Sequence, residues 1–243
     1  MDHMSIPSIS TKSTRRRVVG LLAATAVGLS AQEKQAAPPA IRPEPNRGPR
    51  QDPQLVASFV GLAHKDQNLD RIAEMLSRDP KLVYATWDWG GGDWETGLGG
   101  ASHVGSREMA RFLLEKGARI DAYCAAMLGK RDVIAALVAA DPGVVNARGP
   151  HGYCLLYHVA ISGDVKMAEL LHPHIGAPTR DFNQSLSAAV RDGHLPMSAW
   201  LLDKGADPNL PDALGKRPLT LAVEKRFLEV ADELRKHGAR ETD

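Results

Sequence analysis

The chain has 243 residues, enough for one sizeable domain or two small ones. Its 30 Lys and Arg nearly cancel its 29 Asp and Glu, which argues against nucleic acid as a partner. Aromatic residues are few, yet three of the four tryptophans (Trp87, Trp89 and Trp94) crowd into one short stretch.

The N-terminus reads as an address. Arg15, Arg16 and Arg17 precede the uncharged run from Val18 to Leu29, and small residues follow, with Ala24-Thr25-Ala26 and Leu29-Ser30-Ala31 as candidate cleavage sites. A basic start, a short apolar stretch and small residues make an export signal peptide over residues 1–31. The adjacent arginines resemble the twin-arginine type, which places the mature protein in the periplasm or outside the cell. The run is too short to span a bilayer comfortably, so the only membrane contact expected is an uncleaved signal. Residues 32–54 contain six prolines and almost no large apolar side chains, the composition of a disordered tether.

From residue 55 to 243 the chain repeats itself. Gly117-Ala118, Gly176-Ala177, Gly205-Ala206 and Gly238-Ala239 each follow an amphipathic stretch. In residues 106–116, Met109, Ala110, Leu113 and Leu114 recur at helical spacing and form an apolar stripe. Gly117 then supplies the left-handed turn that a side chain opposes. Gly105, Gly129, Gly163 and Gly193 separate the first helix of a pair from the second. Each pair is too small to bury its own stripe, so the pairs must stack.

The stretch "WETGLGGASHVGSREMARFLLEKGARID" resembles the ankyrin repeat family, as do "QSLSAAVRDGHLPMSAWLLDKGADPN" and "KRPLTLAVEKRFLEVADELRKHGA". The resemblance implies an all-α, ankyrin-type helical solenoid of about six helix-turn-helix repeats. It implies a binding module rather than an enzyme, with a protein or peptide as partner. The family's Thr-Pro-Leu-His motif is degenerate: Thr96-Gly97-Leu98-Gly99, Cys154-Leu155-Leu156-Tyr157, Gln184-Ser185-Leu186-Ser187 and Arg217-Pro218-Leu219-Thr220 all lack the histidine. Other groups must therefore tie one repeat to the next.

Contact residues are sought on the loops and on the concave first helices. Residues 87–96, "WDWGGGDWET", fall where the family projects a finger, and Trp87, Trp89 and Trp94 offer stacking area. Three consecutive glycines exceed what a purely structural finger needs; the alternative is that the tryptophans cover the end of the stack. A small-ligand pocket or active site at this loop, using His103, is the rival function. Arg148, His151 and Tyr153 form a second candidate finger. His103, His158, Arg191 and Asp192 complete the expected partner surface.

No cofactor, metal or catalytic constellation is expected. His103 and His158 fall two repeats apart, too far to share one ion. Cys124 and Cys154 read as two buried thiols.

Overall fold

The computed structural model describes residues 51–65, 68–176 and 178–241. The expected export signal and most of the Pro-rich segment lie outside these residues. Among the described residues no helix is long and apolar enough to cross a membrane.

Twelve helices follow one another in pairs among the described residues: α1 (Pro53–Leu62) with α2 (Leu69–Arg78), α3 (Gly97–Val104) with α4 (Arg107–Glu115), and α5 (Ala122–Met127) with α6 (Arg131–Ala140). Then come α7 (Leu155–Ser162) with α8 (Val165–Leu171), α9 (Pro178–Arg191) with α10 (Leu195–Asp203), and α11 (Pro218–Glu224) with α12 (Leu228–Lys236). Helix α1 begins within the stretch read as tether, because Asp52 caps its first turn by accepting from the Gln54 N–H at 2.9 Å and Pro53 sits at the first helical position. The only paired strands are β1 (Thr86–Asp88) and β2 (Trp94–Thr96), which form an antiparallel hairpin among the described residues.

First helices pack on first helices in the order α1, α3, α5, α7, α9, α11, while α6, α8, α10 and α12 stack in a second row. An inner helix is covered on nearly every side. In α7 the residues from Leu155 to Ile161 are all buried, and each large apolar side chain there contributes roughly 1.5–3 kcal/mol by leaving water. The outer helix α4 instead buries one stripe, Met109, Ala110 and Leu113. The chain is a helical solenoid, as the repeat pattern implies.

Glycine makes the sharp reversals between paired helices. Gly163 caps α7 in the left-handed conformation, with φ at 74°, and a Cβ there would stand 2.8 Å from the His194 ring. The linking task of the missing family histidine passes to other side chains. Arg107 donates to the Ile161 carbonyl at 2.8 Å, and His194 donates to the same oxygen at 3.0 Å, which satisfies an end of α7 that α7 cannot satisfy itself. Asn146 donates to His174 O and accepts from Gly176 N, both at 2.8 Å. Asn209 repeats that arrangement on Gly238 O and Arg240 N.

Candidate functional site

The hairpin stands between α2 and α3. Trp87 pairs with Glu95 across its strands, and Gly90, Gly91 and Gly92 turn the chain with φ of 117°, 67° and 87°. All three conformations disfavour a side chain. The glycine run therefore belongs to the turn itself, which corrects the expectation that three glycines exceed a structural need. Trp87 is half-buried against the core, whereas Trp89 and Trp94 are 43% and 60% exposed. The stretch thus splits into one packing tryptophan and two displayed ones.

Glu95 points the other way, beneath the hairpin, and its side chain is fully buried. Its Oε2 accepts from Trp89 Nε1 at 2.8 Å and lies 3.0 Å from His64 Nε2. Its Oε1 lies 2.9 Å from His103 Nδ1, off the line a hydrogen bond needs, and 3.6 Å from His151 Nε2. Burial works against ionisation of Glu95, but the contacts with His103 and His64, the charge of His103 and the Trp89 N–H outweigh it. The carboxyl is held well below the usual carboxylate range. His64 follows the C-terminal end of α1, where Ser106 Oγ holds its carbonyl at 2.8 Å. A Cβ on Gly100 would overlap the His64 ring, so only glycine leaves room for it.

The second finger closes on this cluster. His151 adopts a left-handed φ of 56° that its side chain does not favour. It is pinned there because its backbone N–H donates to Asp93 Oδ1 at 2.8 Å and its Nδ1 lies 2.6 Å from Asp93 Oδ2. Arg148, at the base of the same finger, grips the buried Asp181 of α9 with both guanidinium nitrogens. It is a structural clamp, already occupied, rather than a free contact residue.

A line of rings runs on from the cluster. Tyr153 stacks on His103 with centroids 6.0 Å apart and on Tyr157 at 4.0 Å. Tyr157 donates to the His103 carbonyl at 3.1 Å and accepts from Arg191 at 3.2 Å. Arg191 also touches Asp192 at 3.3 Å, yet its second terminal nitrogen is buried without a partner. There a cavity of about 660 Å³ opens, walled by Tyr157, Gln184, Ala188 and Arg191 on the first helices and by Leu210 and Leu214 on the facing loop. Asp212 tightens that loop by accepting from Leu214 N and Lys216 N, which leaves Leu214 86% exposed. Residues 87–96 do not line this cavity.

The chain segment from α5 to α10 decides the family: residues 122–212 match the family model of ankyrin repeats in three copies. This part of the chain is built of ankyrin repeats. Ankyrin repeats serve protein–protein interaction and are typically not enzymes. No curated protein matches the chain. The matched repeats hold the cavity's helical walls, while His64, the hairpin and His103 precede them.

Among the predicted site residues, the structure gathers Trp89, His103 and His151 about one carboxylate, sets Tyr153 and Arg191 in the cavity wall, and pairs Asp192 with Arg191. His158 belongs to neither group. It is completely buried, with Nδ1 donating to the Cys154 carbonyl at 3.0 Å, so it presents no contact surface. Cys124 and Cys154 are buried too, and burial pushes both thiols up to about 11. Three members escaped the sequence reading: His64, Asp93 and Glu95. One signal was available for two of them, because Asp93 and Glu95 stand two apart on an extended arm and share a face.

Proposed function

We propose that the protein is an exported ankyrin-repeat module that holds a protein or peptide segment against its concave face and fingers. The observation that carries this reading is the cavity between α7, α9 and residues 210–214, where apolar side chains surround buried hydrogen-bonding atoms that have no partner. Those atoms are the second Arg191 nitrogen and Gln184 Oε1. Buried polar groups ordinarily find partners, and an incoming chain offers a carbonyl or carboxylate to Arg191 and an amide N–H to Gln184. Leu214, exposed at the rim, supplies the apolar edge.

A photo-crosslinking side chain at Leu214 tests the reading against one at Val133, which is exposed on the outer helix α6. Capture of one discrete protein from the native compartment at position 214 and not at 133 supports it. Equal capture at both positions, or capture at 133 alone, sinks it. A cavity of this volume also suits a small organic ligand, since such pockets span roughly 300–1,000 Å³. That second reading gains if small molecules extracted with the purified protein bind wild type and fail to bind Arg191→Ala.

A further inference from the structure

The cluster beneath the hairpin holds more metal-binding atoms than its hydrogen bonds employ. One ring nitrogen each of His64 and His103 and one Glu95 carboxylate oxygen all lie within 4.8 Å of one another. Donors on one tetrahedral ion, each at about 2 Å, stand roughly 3.3 Å apart. His64 Nε2 lies 3.0 Å from Glu95 Oε2 and His103 Nδ1 lies 2.9 Å from Glu95 Oε1, so the two imidazoles approach opposite oxygens of one carboxylate at close to that spacing. Glu95 Oε1 and His103 Nδ1 are both buried, face one another, and lack the alignment of a hydrogen bond. When a neutral His103 carries its proton on Nε2, both atoms offer lone pairs, and a cation joins them where a misaligned hydrogen bond does not.

The surroundings have the character of an outer shell. The Trp89 N–H fixes Glu95 Oε2, and Asp93 holds His151 Nδ1 at 2.6 Å. When Nδ1 donates to Asp93, a neutral His151 turns an unprotonated Nε2 toward Glu95 Oε1, 3.6 Å away. Carboxylate–histidine pairs of this kind orient imidazoles toward metals. Gly100 leaves the space in which His64 approaches.

We propose that His64, Glu95 and His103 bind one Zn²⁺ or a similar divalent transition-metal ion, with His151 or water in the fourth position. Two imidazoles and one carboxylate suit zinc, whereas magnesium and calcium prefer oxygen alone. The ion ties the turn after α1 to the hairpin and to α3, three segments that local sequence leaves independent. It thereby couples the position of Trp89 and Trp94 to metal supply.

The untagged full chain, stripped with a chelator, is titrated with Zn²⁺ by calorimetry and with Co²⁺ by visible absorption. One ion per chain is expected, with the strong visible band of four-coordinate Co²⁺ and a melting temperature raised by Zn²⁺. His64→Gln, Glu95→Gln and His103→Gln each weaken binding by at least about tenfold, and Trp89→Phe by about tenfold. His237→Gln, which alters a separate histidine–carboxylate cluster with Asp203 and Glu233, leaves it unchanged. Circular dichroism confirms that each variant is folded, and the wild-type titration does not depend on them. Absence of saturable binding by the stripped wild type overturns the proposal, as does undiminished binding by the His64→Gln/His103→Gln double variant.

Discussion

His151 holds Asp93 twice across the gap between two fingers, once through its backbone N–H at 2.8 Å and once through Nδ1 at 2.6 Å. The grip is what keeps His151 in a left-handed conformation, an arrangement that costs of order 1 kcal/mol and persists only when its surroundings fix it. Asp93→Ala removes both bonds and lets the 148–153 finger relax. Because the pair is partly exposed, a loss of about 1–2 kcal/mol is expected in denaturant unfolding, with altered emission from the nearby tryptophans. Unchanged emission and stability show that the fingers do not lean on one another.

His158 makes stability depend on pH. Burial pushes its pKa down to about 4 from an ordinary 6.5. The folded protein refuses a proton that the unfolded chain accepts. The contribution is therefore complete above pH 6.5 and is lost as pH falls from there toward 4. Its size is about 2 kcal/mol by pH 5 and about 3 kcal/mol in full. His158→Leu should show a shallower decline in melting temperature between pH 7 and pH 5 than wild type. Parallel declines rule out His158 as the source.

Arg148 protects a buried charge. Asp181 is 2% exposed, and Arg148 is its paired cation. Arg148→Ala strands the carboxylate at a cost of about 2–3 kcal/mol, below the full value for a buried pair because the arginine is partly solvated. Adding Asp181→Asn removes the stranded charge and should recover part of that loss in chemical denaturation. No recovery means that Arg148 acts through packing of its stem instead.

The tryptophans of the hairpin should separate by stability. Trp87 packs against the core and Trp94 stands 60% exposed. Trp87→Ala is expected to cost about 1–3 kcal/mol, and Trp94→Ala to stay within about 0.5 kcal/mol. If Trp94→Ala proves as costly as Trp87→Ala, the hairpin as a whole is an end cap and Trp94 is no candidate contact.

Local chemistry was enough to write the repeat into the sequence. Met109, Ala110 and Leu113 fall on one face because a helix turns every 3.6 residues, and Gly105, Gly163 and Gly193 end helices because a left-handed turn rejects a Cβ. Such rules act over three or four residues, so the helix pairs and their obligatory stacking could be read directly. The carboxylate cluster obeys no local rule. His64, Glu95, His103 and His151 come from a turn, a strand, a helix and a finger that meet only when neighbouring pairs stack. Family register carried His103 and His158 to the concave side together. Packing instead sank His158 into the core and set His103 against Glu95, because the depth of a side chain depends on which neighbouring helix covers it. For the same reason Arg148, read as a free contact, was already committed to Asp181 on the next repeat. Periodicity fixed the scaffold from sequence alone, while the meeting of distant side chains, and with it every polar site on the scaffold, was decided by tertiary packing.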